Sequence, residues 1–430
     1  MITRRNFLHT TATAGLAGSC LTPVTAGVNA AFGAAPGGGE DILVVVFLRF
    51  GACGLTLIPP ADDGIYHDLR PTIAVPVKDA LPIGNLDGTP FFMHPNFTEL
   101  KALYDARSLA VVHAAGLHTE SRSHFVSQDM MERASTDGEH PVAGGWLGRH
   151  MKARHSSNNG ASNNGASNKD AATALTAITA GAEVNIALQG YPGAVAVPSV
   201  LALFTVLGGD SSRTVIEAMN TGPGPIIASG QSTLATLQAV KTRVATLPKD
   251  DGDAAGYTSG ALSTPLRSVA KLIKADVGLK VATVDFGGWD QHVRLTQGIN
   301  PLARELSQGL SAFWRDLKDH QHRLTIVTMT EFGRRVEENA NGGTDHGSAS
   351  VMLALGGNVN GGKIYGKWPG LKPADLHAGD LAVTTDYRQV LQEILVKRRG
   401  ETTPKAVFPT LNYEPLGIVN GDDKAVKRRT

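Results

Sequence analysis

Cysteine is almost absent from this 430-residue chain, which has only Cys20 and Cys53. Cys20 falls in a leader-like amino-terminal stretch, so a processed chain would keep Cys53 alone and no intrachain disulfide could staple the fold. A charge imbalance is also missing. Lysine and arginine number 40 against 39 acidic residues, a net of +1, which excludes a broad electrostatic argument for nucleic-acid binding. The amino-terminal stretch is too weakly apolar to read as a stable transmembrane span. Core-forming residues are plentiful: 42% of the chain is hydrophobic, enough for one large α/β domain or a domain with a substantial insertion.

The first 35 residues read as a separate segment. TRRNFLH, with Arg4 and Arg5, precedes an uncharged stretch rich in alanine, glycine and threonine, and Val28, Asn29 and Ala30 offer a small-residue cleavage site. The pattern predicts a twin-arginine export signal and exit segment over 1–35. The partner is then the twin-arginine export machinery, and the destination is the periplasm or the extracellular space. Cleavage after Ala30 removes two arginines and turns the balance to −1, with 38 cations against 39 acids.

The rest of the chain is organised around residues 324–347, LTIVTMTEFGRRVEENANGGTDHG. Its first six residues are a buried-strand pattern. The run containing Glu331, Arg334, Arg335, Glu337 and Glu338 is expected to leave the sheet for a solvent-facing loop, because an unpaired buried charge is costly. Gly342, Gly343 and Gly347 then bracket Asp345 and His346, a carboxylate and an imidazole on a tightly turning loop.

A second strand pattern at 281–286 leads directly into GGWDQH and delivers Asp290 and His292. Leu302, Leu306, Leu310, Phe313 and Leu317 form a helical face between the two strands. Strand, helix and strand predict a crossover that brings both Asp/His loops to one sheet edge. Carboxylate oxygen and imidazole nitrogen suit a divalent metal, zinc first, with manganese or iron as alternatives.

Earlier in the chain, 42–48 reads as a first central strand, with Arg49 at its end able to engage an anion. Cys53 follows, as a buried small hydrophobe, a metal ligand or a nucleophile. Residues 116–129 form a polar crossing point with Ser121, Arg122, Ser123 and His124. Hydroxyl nucleophiles, a guanidinium and a base or ligand there would suit a phosphate or sulfate ester; alternatively SRSH starts a helix and a serine caps it. Helices are expected over 97–106, 232–246, 264–275 and 387–396, the last capped within 384–386. The domain spans 41–415, with a polar low-complexity loop over 154–170 and a polar tail over 416–430.

The stretches FLRFGACGL, HAAGLHTESRSHFVSQDMMERA, DFGGWDQH, VTMTEFGRRVEENANGGTDHG and LAVTTDYRQVLQEIL resemble the DUF1501 family of twin-arginine-exported proteins, over most of the processed chain. That family is similar to the alkaline phosphatase and sulfatase superfamily. The resemblance implies an alkaline-phosphatase-like central, mostly parallel sheet flanked by helices, with a helical insertion or cap and metal-dependent ester hydrolysis at one sheet edge.

Under this resemblance, Asp345 and His346 match the superfamily's metal-binding pair, and Asp290 and His292 match the preceding acid and histidine. Ser123 or Ser121 is placed as the nucleophile with His124 orienting it, and Arg122 or Arg334 binds nonbridging oxygens. Cys53 stands where the family's GGADGL pattern has aspartate, and His377 is the one late histidine candidate. The alternative is a noncatalytic, metal-stabilised envelope scaffold that binds another exported protein. A third reading gives Trp289, Tyr365 and Trp368 to a peptide or glycan.

Overall fold

The uninterrupted apolar run Ile42–Leu48 has no polar face to offer water, and it forms strand β1, buried along its whole length. Successive side chains leave a strand in opposite directions. Ile42, Val44, Val46 and Leu48 enter one core cluster, and Leu43, Val45 and Phe47 enter another. The sheet is therefore covered on both faces. The computed structural model describes residues 40–136, 138, 141–160, 175–199, 239–248 and 252–423. The leader expected at 1–35 lies outside these residues, as do 161–170 of the low-complexity loop and 232–238 of the helix expected over 232–246.

After β1 come two short helices, α1 (Gly54–Leu57) and α2 (Gly64–Leu69), and a hairpin of β2 (Leu81–Leu86) and β3 (Thr89–Met93). Then follow α3 (Thr98–Asp105), β4 (Leu109–Gly116), α4 (His124–Arg133), α5 (Trp146–Gly160), β5 (Ala177–Thr179) and β6 (Ala194–Ala196). The carboxyl-terminal half contains α6 (Ser263–Lys274), β7 (Val281–Phe286), α7 (Leu295–Asp316), β8 (Leu324–Met329) and β9 (Ser350–Gly356). It closes with β10 (Ile364–Tyr365), a small hairpin of β11 (Leu376–His377) and β12 (Asp380–Leu381), β13 (Thr385–Asp386), α8 (Tyr387–Arg399) and α9 (Pro404–Val407).

Among the described residues, nine strands form one sheet in the order β10-β4-β9-β8-β1-β7-β5-β6, with β13 also on β4. Only β9 runs antiparallel to its neighbours. The result is a mixed, mostly parallel sheet flanked by helices. Strand β1 lies between β7 and β8, in register from Leu43–Val281 to Leu48–Phe286 on one side and from Ile42–Leu324 to Phe47–Met329 on the other. The crossover through α7 skips one strand, and the carboxyl ends of β1, β7 and β8 finish side by side.

Helices α6 and α7 cover one face, where Leu266, Val269, Leu306, Leu310 and Phe313 pack with Val44, Val46 and Ile326. Helices α4, α5 and α8 cover the other through Met130, Trp146, Leu391 and Ile394. The face expected for α7 is buried at Leu306, Leu310, Phe313 and Leu317 and partly buried at Leu302. Asp386 caps α8 by accepting from the Arg388 N–H.

Two stretches differ from their composition. Helix α5 runs to Gly160, into the polar loop expected at 154–170. Within the expected tail 416–430, Ile418 and Val419 are buried, because the buried carboxylate of Glu393 takes the Leu416, Gly417 and Val419 N–H groups and holds the chain against the core.

Candidate metal centre

The charge run after β8 does not uniformly face solvent. Glu331 and Arg334 are 0% and 1% exposed, while Glu337 is exposed. Glu331 accepts from the Phe50 N–H, His124 Nδ1 and Gln128 Nε2, each at 2.8 Å. Arg334 donates to the carbonyls of Phe50, Gly51, Trp289 and Thr344 and to Asp290 Oδ1 at 2.6 Å. The desolvation penalty falls on charges left unpaired; these two are supplied with partners from all three neighbouring loops.

Glycine lets those loops lie backbone against backbone. A Cβ on Gly343 would stand 2.2 Å from the His292 backbone, and one on Gly347 would stand 2.4 Å from that of Arg334. The Thr344 N–H reaches the Gln291 carbonyl at 3.1 Å, the Arg294 N–H reaches that of Asn341 at 3.1 Å, and Arg334 and His346 form a short antiparallel bridge. The loops after β7 and β8 are thus one hydrogen-bonded body. They bring together Asp290, His292, Asp345 and His346, as the crossover predicts.

His124, the first residue of α4, joins them, with its ring against Phe332 and His346 at centroid distances of 4.8 and 4.3 Å. Each imidazole is oriented by an acceptor at Nδ1. Glu331 takes His124, the Arg122 carbonyl takes His346 at 2.7 Å, and Asp345 Oδ1 takes His292 at 2.9 Å. A carbonyl, or a carboxylate that already accepts amide N–H groups, cannot donate. Nδ1 is therefore the donor in each ring, and the Nε2 atoms turn inward, where a neutral ring would offer its lone pair to a metal.

There they meet one another. His292 Nε2 is 2.9 Å from His346 Nε2 and 3.0 Å from Asp290 Oδ1, while His346 Nε2 and His124 Nε2 are 3.3 and 3.4 Å from that oxygen. His124 Nε2 is buried without a hydrogen bond. Ligand atoms of His124, Asp290 and His346 all lie within 4.8 Å of one another. A metal ion is a species that these imidazole nitrogens and the carboxylate could share.

Electrostatics hold the ligating forms. Burial alone would raise the Asp290 pKa, but the hydrogen bond and charge of Arg334, with His292 and His124, hold it at about 2. Burial lowers the His346 pKa against the raising effect of its bond to Arg122. The His292 hydrogen bond holds the exposed Asp345 below the usual carboxylate range. Two imidazoles and a carboxylate therefore fit a divalent ion. The donor set is found with zinc and with iron or manganese and does not separate them.

The other sequence candidates are placed as follows. Cys53 is not brought to the imidazoles; its buried thiol accepts from Thr56 Oγ1 at 3.2 Å and Arg70 Nη1 at 3.4 Å. Burial pushes that thiol up, but the Arg70 charge and the Thr56 bond outweigh it and lower its pKa. Arg49 is committed to Glu132 and Asp285 at 2.6 and 2.9 Å, and Arg334 to its carbonyls and Asp290, so neither guanidinium is open to an anionic ligand. Arg122 is half-exposed and donates to the His346 carbonyl.

Ser123 stands at the amino end of α4 without a capping bond, and Ser121 Oγ accepts the Ser123 N–H at 3.3 Å. Neither hydroxyl is hydrogen-bonded to His124. His377 is exposed and faces Glu120 at 3.7 Å. Trp289 and Trp368 are buried, as packing residues. Glu331, the anchor of His124, was hidden in a run that reads as surface charge. Only its position one residue past Thr330, at the end of the strand, hints at the site.

No helix among the described residues is long and apolar enough to cross a membrane. No curated protein matches the chain. A carboxyl-terminal region, residues 231–406, matches the family described as "Protein of unknown function (DUF1501)"; it contains Asp290, His292, Arg334, Asp345 and His346, while His124 lies before it.

Proposed function

We propose that this chain is an exported, alkaline-phosphatase-like metalloprotein that hydrolyses phosphate or sulfate esters at the carboxyl edge of its sheet. One observation carries the reading: three imidazoles, each anchored at Nδ1, turn Nε2 toward the Asp290 carboxylate. His124, Asp290 and His346 would hold a divalent ion, zinc by first preference, with His292 beside them. The ion would polarise an oxygen of the bound ester. Glu331, Asp345 and the Arg122 carbonyl orient the imidazoles through Nδ1. Ser123, whose hydroxyl does not cap its helix, supplies the nucleophile in this reading.

Export follows from the leader-like segment 1–35, and Arg4→Lys with Arg5→Lys should retain the precursor inside the cell. The metal reading is tested by plasma mass spectrometry of protein purified without chelator, beside Asp290→Ala and His346→Ala. Bound metal that both variants lose is the expected result, with turnover of aryl phosphate or sulfate lost in parallel and in Ser123→Ala. Protein without metal, whose melting and activity ignore both substitutions, would overturn it.

A second reading is a metal-stabilised scaffold without catalysis, favoured by the missing hydrogen bond between either serine and a base. Metal-dependent melting combined with a blank ester screen would select it.

A further inference from the structure

Asp380 is fully buried in a position that neither the strand pattern nor the Asp/His motifs mark. It sits on the β11–β12 hairpin, whose two turn residues, Ala378 and Gly379, have φ of 52° and 83°. Two successive left-handed residues make the tight turn whose twist suits a two-residue hairpin. A Cβ on Gly379 would stand 2.2 Å from Arg335 Nη2, so glycine here also leaves room for that guanidinium.

Asp380 Oδ2 accepts from Ser348 Oγ at 2.8 Å and from Arg122 Nη2 at 2.5 Å. Its Oδ1 is buried without a hydrogen bond, and Arg335 Nη1 stays 3.6 Å away. Among the described residues the Arg335 guanidinium makes no hydrogen bond, and the Arg122 and Arg335 side chains are 37% and 36% exposed. One buried carboxylate thus gathers two half-open guanidiniums and leaves one positive charge uncompensated.

Both arginines are tied to the metal centre by backbone. The Arg122 carbonyl accepts from His346 Nδ1, and the Arg335 N–H donates to the Asp345 carbonyl at 2.9 Å. The chain places a two-guanidinium surface at the rim of the imidazole group and aims it with an acid from a separate hairpin. Planar forks of this kind match the oxygens of a tetrahedral oxyanion.

We infer that Arg122 and Arg335 form a subsite for the oxyanion group of the ligand, phosphate or sulfate, with Asp380 as its positioning residue. This rests on the ester-binding reading of the neighbouring centre, yet it needs no metal to be observed. Arg335 is not recognisable as a ligand residue from sequence, because it lies in a charge run beside the buried Arg334.

The experiment is calorimetric titration of inorganic phosphate, and separately sulfate, into chelator-treated and zinc-reloaded full-length protein. Arg335→Ala should weaken at least one anion about tenfold in both forms, while metal content is unchanged. Arg335→Lys should recover part of the loss by restoring charge without the fork. Arg335→Gln, with melting recorded, serves if the alanine variant is unstable. Wild-type protein that binds neither anion, or variants that bind as wild type does, would overturn the subsite. Arg335-dependent binding by a protein that takes up no metal would sustain it and sink only the metal reading.

Discussion

Strand β1 carries charge at both ends, and the two ends resolve it differently. At the amino end, Glu40 meets Lys280 at 2.9 Å and Asp41 meets Arg398 at 2.6 Å, opposite signs in pairs. At the carboxyl end, three imidazole Nε2 atoms and the Asp290 carboxylate face one another around the space they share. The first arrangement is complete as it stands. The second could hold a metal ion, and the residues behind it, Glu331 and Arg334, are buried and orient His124 and Asp290.

The contrast is broken most strongly at Arg334. Arg334→Ala would strand four carbonyls and Asp290, and an uncompensated buried network of this kind costs about 3–5 kcal/mol. Urea denaturation should show that loss, together with loss of bound metal. A smaller effect is expected from Glu331→Gln, which keeps the shape but removes the charge behind His124. Chelator competition should report metal affinity lower by about 10–100-fold, with the fold retained.

The pH dependence tests Asp290 itself. Its folded pKa is held at about 2, below an unfolded carboxylate value of about 3.9. Its contribution to stability is therefore present above the unfolded value and lost as pH falls through the folded one. In chelator-treated protein, the melting difference between wild type and Asp290→Asn should be established by pH 5 and fade toward pH 2. A difference that stays constant over that range would remove Arg334 as its cause.

The smallest effect belongs to the amino end. Lys280→Ala removes a half-exposed pair and should cost less than about 1 kcal/mol by thermal melting, fading with salt, and leave metal content untouched.

Much of the fold was legible in the chain. The runs 42–48, 281–286 and 324–329 became β1, β7 and β8 with those bounds, because central strands of a sheet covered on both faces are mainly apolar, Asp285 near the end of β7 being exposed. The crossover through α7 followed from the leucine spacing, and with it the meeting of the two Asp/His loops. His124 is legible as chemistry beside two serines, but nothing local shows that Glu331, 207 residues away, accepts a hydrogen bond from its Nδ1. The solvent reading of the charge run failed at Glu331 and Arg334 for the same reason: whether a charge can be buried depends on partners from other segments.

By itself, then, the sequence determined the strands, the amphipathic helices and the two polar loops, because periodicity and turn chemistry are local properties of the chain. The tertiary structure decided which imidazole nitrogens face inward, that Cys53 lies with Arg70 and not with the imidazoles, and that Asp380 gathers Arg122 and Arg335. Those outcomes rest on hydrogen bonds between residues far apart in sequence. Such bonds have a definite partner only once the sheet has set β1 between β7 and β8.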